Sequence, residues 1–249
     1  MSFWGELNCP TCLSKDYEII TYSVLACILP KTKSKKRIGP HNYSILTIIF
    51  GTLLGDGSAE THGNGTRIRF YQEDSHQDYL LWLQALINNH GYTSDIVPQL
   101  RTRLGKNSKI RHVIRFNTYT YSSFNWIQEC WYKDKIKRVP DTEILDLYLS
   151  PLALAIWIKG THAKKVRVGQ VDGAKVSAGL KIFTNGFILS DVERLSLLLN
   201  NKYNLFTSIQ SAGVPDQYII YVPKKGIDTL KKIVGPYIHP SMKYKLDHN

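Results

Sequence analysis

Residues 43–249 carry the same succession of elements twice, offset by about 112 residues, and this duplication limits the fold more than any other feature of the chain. In the first half Arg67-Ile-Arg-Phe-Tyr71 alternates like a strand, and a helix over Ser75 to Asn89 carries Leu80, Leu81, Leu83 and Leu86. In the second half Leu180-Lys-Ile-Phe183 is the corresponding strand. Ser190 and Glu193 are spaced as a capping box for a helix bearing Val192, Leu195, Leu198 and Leu199. Strands follow at Lys109 to Phe116 and Gln217 to Val222, then amphipathic helices at Ser122 to Trp131 and Ile227 to Val234. The pattern predicts an α+β protein of two pseudo-symmetric modules, residues 43–140 and 141–249. Lys133 to Pro140 reads as a basic connector between them.

Residues 1–42 read as an arm ending in Lys31-Thr-Lys33-Ser-Lys35-Lys36-Arg37 and Gly39-Pro40. The whole chain holds 32 Lys and Arg against 20 Asp and Glu, a net charge of +12, which suits a polyanionic partner through counterion release. Four cysteines do not make a disulfide framework. Cys9 and Cys12 have half of a zinc-ribbon spacing, but Cys27 and Cys130 stand alone and His41 supplies at most a third ligand. Reduced thiols and a reducing compartment follow. No apolar run approaches the roughly 18 residues of a membrane span. The N-terminal stretch lacks the features of a signal or transit peptide, so a protein working in an organelle is expected to be made there.

At the head of the first half stands Ile45-Leu-Thr-Ile-Ile-Phe-Gly-Thr-Leu-Leu-Gly-Asp-Gly57, an apolar helix with Gly51 and Gly55 four apart. Small residues at that spacing let another helix backbone approach closely. Asp56 at the C-terminal end opposes the helix dipole, and a divalent cation would compensate it.

Phe50-Gly-Thr-Leu-Leu-Gly-Asp-Gly57 resembles the signature helix of the LAGLIDADG homing endonucleases and group I intron maturases. Tyr148-Leu-Ser-Pro-Leu-Ala-Leu-Ala-Ile-Trp-Ile158 is similar to the second such helix of two-motif members. Pro236-Tyr-Ile-His-Pro-Ser-Met-Lys-Tyr-Lys-Leu246 resembles their ending, so the likeness covers roughly residues 43–246. It implies paired signature helices at the centre and, in each module, an antiparallel β-sheet saddle with helices on one face. It also implies carboxylates that hold Mg²⁺ for phosphodiester hydrolysis. Asp56 falls on the first carboxylate and Lys137 on a basic residue near the active site. Gln217 stands about where a second lysine is expected.

The second motif departs from the family. After Ile158 the chain reads Lys159-Gly-Thr-His-Ala-Lys-Lys-Val-Arg-Val-Gly-Gln170 before Asp172-Gly173. Without a gap Thr161 takes the carboxylate position. With a basic insert at about 159–170, Asp172 takes it and the distance to Leu180 fits the family better; the insertion reading is preferred. His76, His90 and His162 are expected at the surface or in caps.

Arg67 with Arg69 and Arg111 with Arg115 recur at even spacing, which places each pair on one sheet face. With Lys109 and Lys181 they are the expected nucleic-acid contacts, since Arg reads guanine bidentately. The leading expectation is a monomeric, Mg²⁺-dependent, site-specific double-strand DNA endonuclease using Asp56, Asp172 and Lys137. The alternative is an RNA-binding maturase that assists its host group I intron and tolerates loss of a carboxylate. The resemblance implies an organelle-encoded protein, mitochondrial first and chloroplast second.

Overall fold

In the computed structural model, which describes residues 37, 39–104, 110–160, 164–166, 170–171, 174–175 and 179–240, the first half opens with α1 (Tyr43–Leu54). Asn42 caps it by accepting from the Ser44 N–H at 2.7 Å, and every residue from Ile45 to Leu54 is buried. A helix apolar all round belongs inside the protein. There follow β1 (Ser58–His62), β2 (Gly65–Glu73), α2 (Gln77–Asn89), β3 (Arg101–Leu104), β4 (Ile110–Asn117) and α3 (Asn125–Trp131). A short hairpin, β5 (Tyr132–Lys133) with β6 (Ile136–Lys137), leads out of this half. The second half begins with α4 (Thr142–Tyr148), α5 (Pro151–Gly160) and β7 (Lys164–Val166). A small hairpin of β8 (Gln170–Val171) and β9 (Ala174–Lys175) comes next in the chain. Then come β10 (Gly179–Phe183), α6 (Leu189–Tyr203), β11 (Ser208–Ser211), β12 (Tyr218–Val222) and α7 (Lys224–Val234).

The two sheets have one topology. The first runs β1-β2-β4-β3 and the second β7-β10-β12-β11, all antiparallel, so corresponding strands occupy corresponding places. Phe70 opposite Phe116 and Ile182 opposite Ile220 point to the core side of their sheets, where the helices pack. α1 and α5 share the most extensive helix interface and run parallel: Gly51 lies against Ala153 and Gly55 against Gly160. One apolar cluster runs through both halves, so neither module's core ends at the helix pair. Each fully buried Leu, Ile or Phe in it contributes about 1.5–3 kcal/mol.

Several sequence expectations need correction. Ser190 is not the N-cap of α6: Ile188 holds the extended N-cap position, and Ser190 is already helical. The first-turn residue that complements the helix end is Asp191, which Arg138 and Arg194 draw inward. Lys133 to Pro140 is not a plain connector. It enters through the β5–β6 hairpin, which is closed by Asp134 and Lys135, both at positive φ. That is the geometry of a type I′ turn, whose twist matches antiparallel strands. The second signature stretch is broken in two because Ser150 precedes Pro151, and a residue before proline avoids helical geometry. β1, β3, β7 and β11 have no counterpart among the expected strands; they are short and lack regular apolar alternation. His41 is no free metal ligand: its ring meets the Tyr92 hydroxyl and Ser123 Oγ within an aromatic cluster with Tyr121 and Phe124.

Candidate nucleic-acid interface and carboxylate centre

The parallel α1 and α5 deliver their C-terminal ends to one place. Gly55 caps α1, and the exposed Asp56 follows it directly. The close pass of Gly55 and Gly160 brings the Asp56 backbone within 3.9 Å of where a Gly160 Cβ would stand. Lys137 reaches in from β6, and its Nζ donates to Gly57 O at 2.7 Å and Gly55 O at 3.1 Å. It thereby satisfies carbonyls that the helix end leaves open and places a cation at the negative pole of the dipole. Burial pushes the Lys137 ammonium down to about 8, while the charge of Asp56 acts upward on it. Burial and the same charge push the Tyr79 phenol up.

A cleft lined by Thr52, Asp56, Tyr71, Gln72, Tyr79 and Gly160 opens beside this end. Thr52 Oγ1 is buried there without a hydrogen-bond partner. The exposed Asp56 carboxylate is a hard oxygen donor of the type that Mg²⁺ takes, whereas the buried Thr52 hydroxyl presents no surface to an ion. One carboxylate is too little for a resident ion, and among the described residues no group of three His, Cys, Asp or Glu side chains could hold one. The donor set therefore fits a divalent cation held jointly with a phosphate.

The second helix end differs. It closes in Lys159-Gly160, with Lys159 only 1% exposed. Its ammonium donates to Tyr237 O at 2.7 Å and lies 4.3 Å from the Trp82 ring centre. No acidic residue occurs from Lys159 through Val171. Asp172 stands in sequence between β8 and β9; it, Lys109, Thr161 and His162 lie outside the described residues, as do Cys9, Cys12 and Cys27.

Registers decide which side chains share the open sheet face. In the first sheet Arg69 is opposite Asn117, Tyr71 opposite Arg115, Glu73 opposite Val113, Arg101 opposite Val113 and Arg103 opposite Arg111. Arg67, Arg69, Arg101, Arg103, Arg111 and Arg115 therefore project from one side. Spacing puts Arg67 with Arg69 and Arg111 with Arg115, and the β2–β4 register brings the two pairs together. Arg101 and Arg103 escape the sequence reading because β3 is four exposed residues; their own two-residue spacing is the available signal. Glu60 bridges Arg67 and Arg69 at 2.8 and 2.6 Å, and Glu73 bonds Arg111 at 3.1 Å. Although slight burial opposes it, these guanidiniums hold the Glu60 carboxyl below its ordinary range. Two arginines directly opposite each other repel, and a polyanion on this face would relieve that cost.

The second sheet's open face is less charged. Lys181 is opposite Tyr221, with Phe183 and Gln210 both opposite Ile219. Gln217, at the expected second-lysine position, accepts from Asn185 Nδ2 at 2.7 Å. The connection between halves is pinned by Asp191, 1% exposed, which accepts from Arg138 Nε at 2.9 Å, Arg194 Nη2 at 2.7 Å and the Val139 N–H at 3.1 Å. Burial alone would raise its carboxyl; the three donors hold it below the ordinary value of 3.8. That carboxylate welds β6 to α6, which fixes Lys137 at the helix ends.

Two sheets of one topology stand about a parallel helix pair, and the first of them opens a face lined with arginines, a pseudo-twofold design. The chain belongs to the LAGLIDADG DNA endonuclease family, whose pattern it matches over residues 46–230. It is 45% identical over 248 residues, 95% of its length, to the cytochrome b mRNA maturase bI2 of Saccharomyces cerevisiae, of which it spans 56%. It is 36% identical to the intron-encoded endonuclease ai4 of Dictyostelium discoideum, over 66% of this chain and 98% of that protein. Its fold is that of the homing endonuclease I-WcaI bound to its DNA recognition sequence, with a TM-score of 0.73 at 23% identity, covering 92% of this chain and 99% of that one.

Proposed function

We propose that this protein is an intron-encoded maturase: it binds the structured RNA of its host group I intron and stabilises the spliceable fold. The observation that carries the reading is the asymmetry of the two helix ends. Asp56 follows Gly55 on one side, while Lys159, Gly160 and a basic stretch stand on the other. Holding RNA requires basic and polar surface and no paired carboxylates. The arginines of the first sheet grip phosphate, the helix pair keeps modules 43–140 and 141–249 in a fixed relation, and a single chain suffices. The maturase relative supports this reading and a mitochondrial origin.

The test is splicing of the host precursor RNA at a Mg²⁺ concentration where RNA alone reacts slowly. Added protein is expected to accelerate splicing at least ten-fold, and Asp56→Asn is expected to keep that effect. No acceleration by wild type sinks the reading.

A second reading, Mg²⁺-dependent cleavage of a double-stranded DNA site, draws on the Asp56–Lys137 centre. Asp56 and Asp172 would hold Mg²⁺ together with the scissile phosphate, and the ion would supply an activated water there. Lys137 would keep the Gly55–Gly57 backbone in place and offer positive charge to the phosphate. The ai4 relative supports it. Cutting of the intron-free insertion-site duplex by wild type, lost in Asp56→Asn, would establish it.

A further inference from the structure

The outer side of the second module carries a basic strip that neither sheet face includes. α7 buries Gly226, Ile227, Leu230 and Val234 against α5 and β10, on the helix-covered side of the sheet. Its other side presents the exposed Lys224, Lys225 and Lys232, with the half-buried Lys231 at its edge and Asp228 and Thr229 among them. Lys224 and Lys231 are seven residues apart, about 10 Å along the axis. Beside the strip stands Phe206, 43% exposed, with Lys225 Nζ 4.0 Å from its ring centre.

Phe206 does not sit there by looseness. Its φ is +55°, a conformation costly for a bulky side chain, and the loop around it is fastened on both sides. Leu205 is fully buried, and its carbonyl passes so close to Gly226 that a Cβ there would fall 2.2 Å away. On the other side Thr207 is held by Asn200, through its N–H at 2.6 Å and its Oγ1 at 3.0 Å. The chain thus turns an aromatic ring outward from a fastened loop, under Lys225, on the helix that carries three further lysines.

We propose that α7 and Phe206 form a second nucleic-acid surface, for an unpaired RNA segment, with phosphates on the lysines and a base stacked at Phe206. The proposal rests on the maturase reading and specifies where it acts. An unpaired base is the feature that separates such a segment from duplex DNA, whose bases are already stacked, and an aromatic side chain on a basic surface is how proteins hold one. An anionic membrane fits less well, because the apolar side of α7 is already buried in the protein and only lysines remain to meet a lipid surface.

The test uses the full chain and three probes: a fluorescein-labelled 20-nucleotide single-stranded RNA, a duplex DNA of the intron-free insertion site, and vesicles containing phosphatidylglycerol. The charge variant is Lys224→Gln/Lys225→Gln/Lys231→Gln/Lys232→Gln; the ring variants are Phe206→Leu and Phe206→Tyr. Expected are a ten-fold or greater loss of RNA affinity in the charge variant, a roughly five-fold loss in Phe206→Leu, and retention in Phe206→Tyr. Duplex DNA binding should stay within two-fold throughout. Equal losses on RNA and DNA, unchanged RNA binding in all variants, or α7-dependent binding to vesicles but not RNA would each overturn the proposal. Wild-type RNA binding that depends on α7, combined with no effect on splicing, would overturn the maturase reading and leave this surface standing.

Discussion

Gly51 and Ala153 meet with no room between them: a Cβ on Gly51 would lie 2.3 Å from the Ala153 carbonyl oxygen and 2.9 Å from its Cα. The obstructing atoms are helix backbone, so α1 and α5 must separate to admit a side chain. Gly51→Val is expected to cost about 2–4 kcal/mol of stability, as overpacking a rigid interface does. Gly186→Ala, at a position with nothing within 4 Å, should stay within about 0.5 kcal/mol. Urea denaturation of both variants measures the contrast.

Asp191 ties the two halves by charge as Gly51 ties them by shape. Asp191→Asn removes the negative charge of a side chain only 1% exposed from between Arg138 and Arg194, each about one-third exposed. Water reaches the arginines, so the expected loss is about 2–3 kcal/mol, at or below the usual range for breaking a buried pair. Because the folded carboxyl lies below its ordinary value of 3.8, this stabilisation is present above pH 4 and disappears as pH falls through the lowered folded value. Wild type should lose stability in that acid window faster than Asp191→Asn does.

The arginine face predicts a salt dependence. Removing Arg101 and Arg103 together should weaken nucleic-acid binding and reduce the slope of log K against log salt by about 2, one unit for each phosphate no longer neutralised. Filter binding between 50 and 200 mM KCl reads it. An unchanged slope would mean β3 stands clear of the ligand.

Lys137 carries a titration near neutrality. Its folded value of about 8 is below that of an unfolded lysine, so the unfolded chain binds the extra proton and folding stability should rise with pH between about 8 and 10.5. An NMR titration of the Lys137 side chain should show a midpoint near 8. Lys137→Met leaves the Gly55 and Gly57 carbonyls without their donor and should cost about 1–3 kcal/mol.

The centre between the helix ends makes a prediction about strands. If Asp56 alone among the helix-borne positions supplies a carboxylate, any Mg²⁺-dependent attack on duplex DNA should produce nicks in one strand faster than double-strand breaks. Supercoiled plasmid carrying the insertion site would relax before it linearises, and Asp56→Asn would do neither. Direct linearisation by wild type would mean that a second group, Asp172 or another, completes a second centre.

Much of this is legible in the chain. The duplicated order of strand and helix predicts two like sheets, because alternation and helical spacing are local properties that burial must respect. Gly51 and Gly55 on an apolar helix announce a close helix partner. Arg67 with Arg69, and Arg111 with Arg115, each fall on one face because strand alternation requires it; the β2–β4 register then puts both pairs on the same face. Arg101 and Arg103 stay hidden, since a four-residue strand exposed on both sides has no apolar alternation to betray it.

By itself, then, the sequence determined the family, the two sheets, the helix pair and the candidate carboxylate Asp56. Only the tertiary structure decided how these meet. The burial of Lys159 beneath Trp82, the turn of Phe206 out of its loop, the place of Lys137 on Gly55 and Gly57, and the Arg138–Asp191–Arg194 junction all join parts of the chain that its order keeps apart. No local pattern encodes them, because each depends on which backbone another part of the fold has already placed alongside.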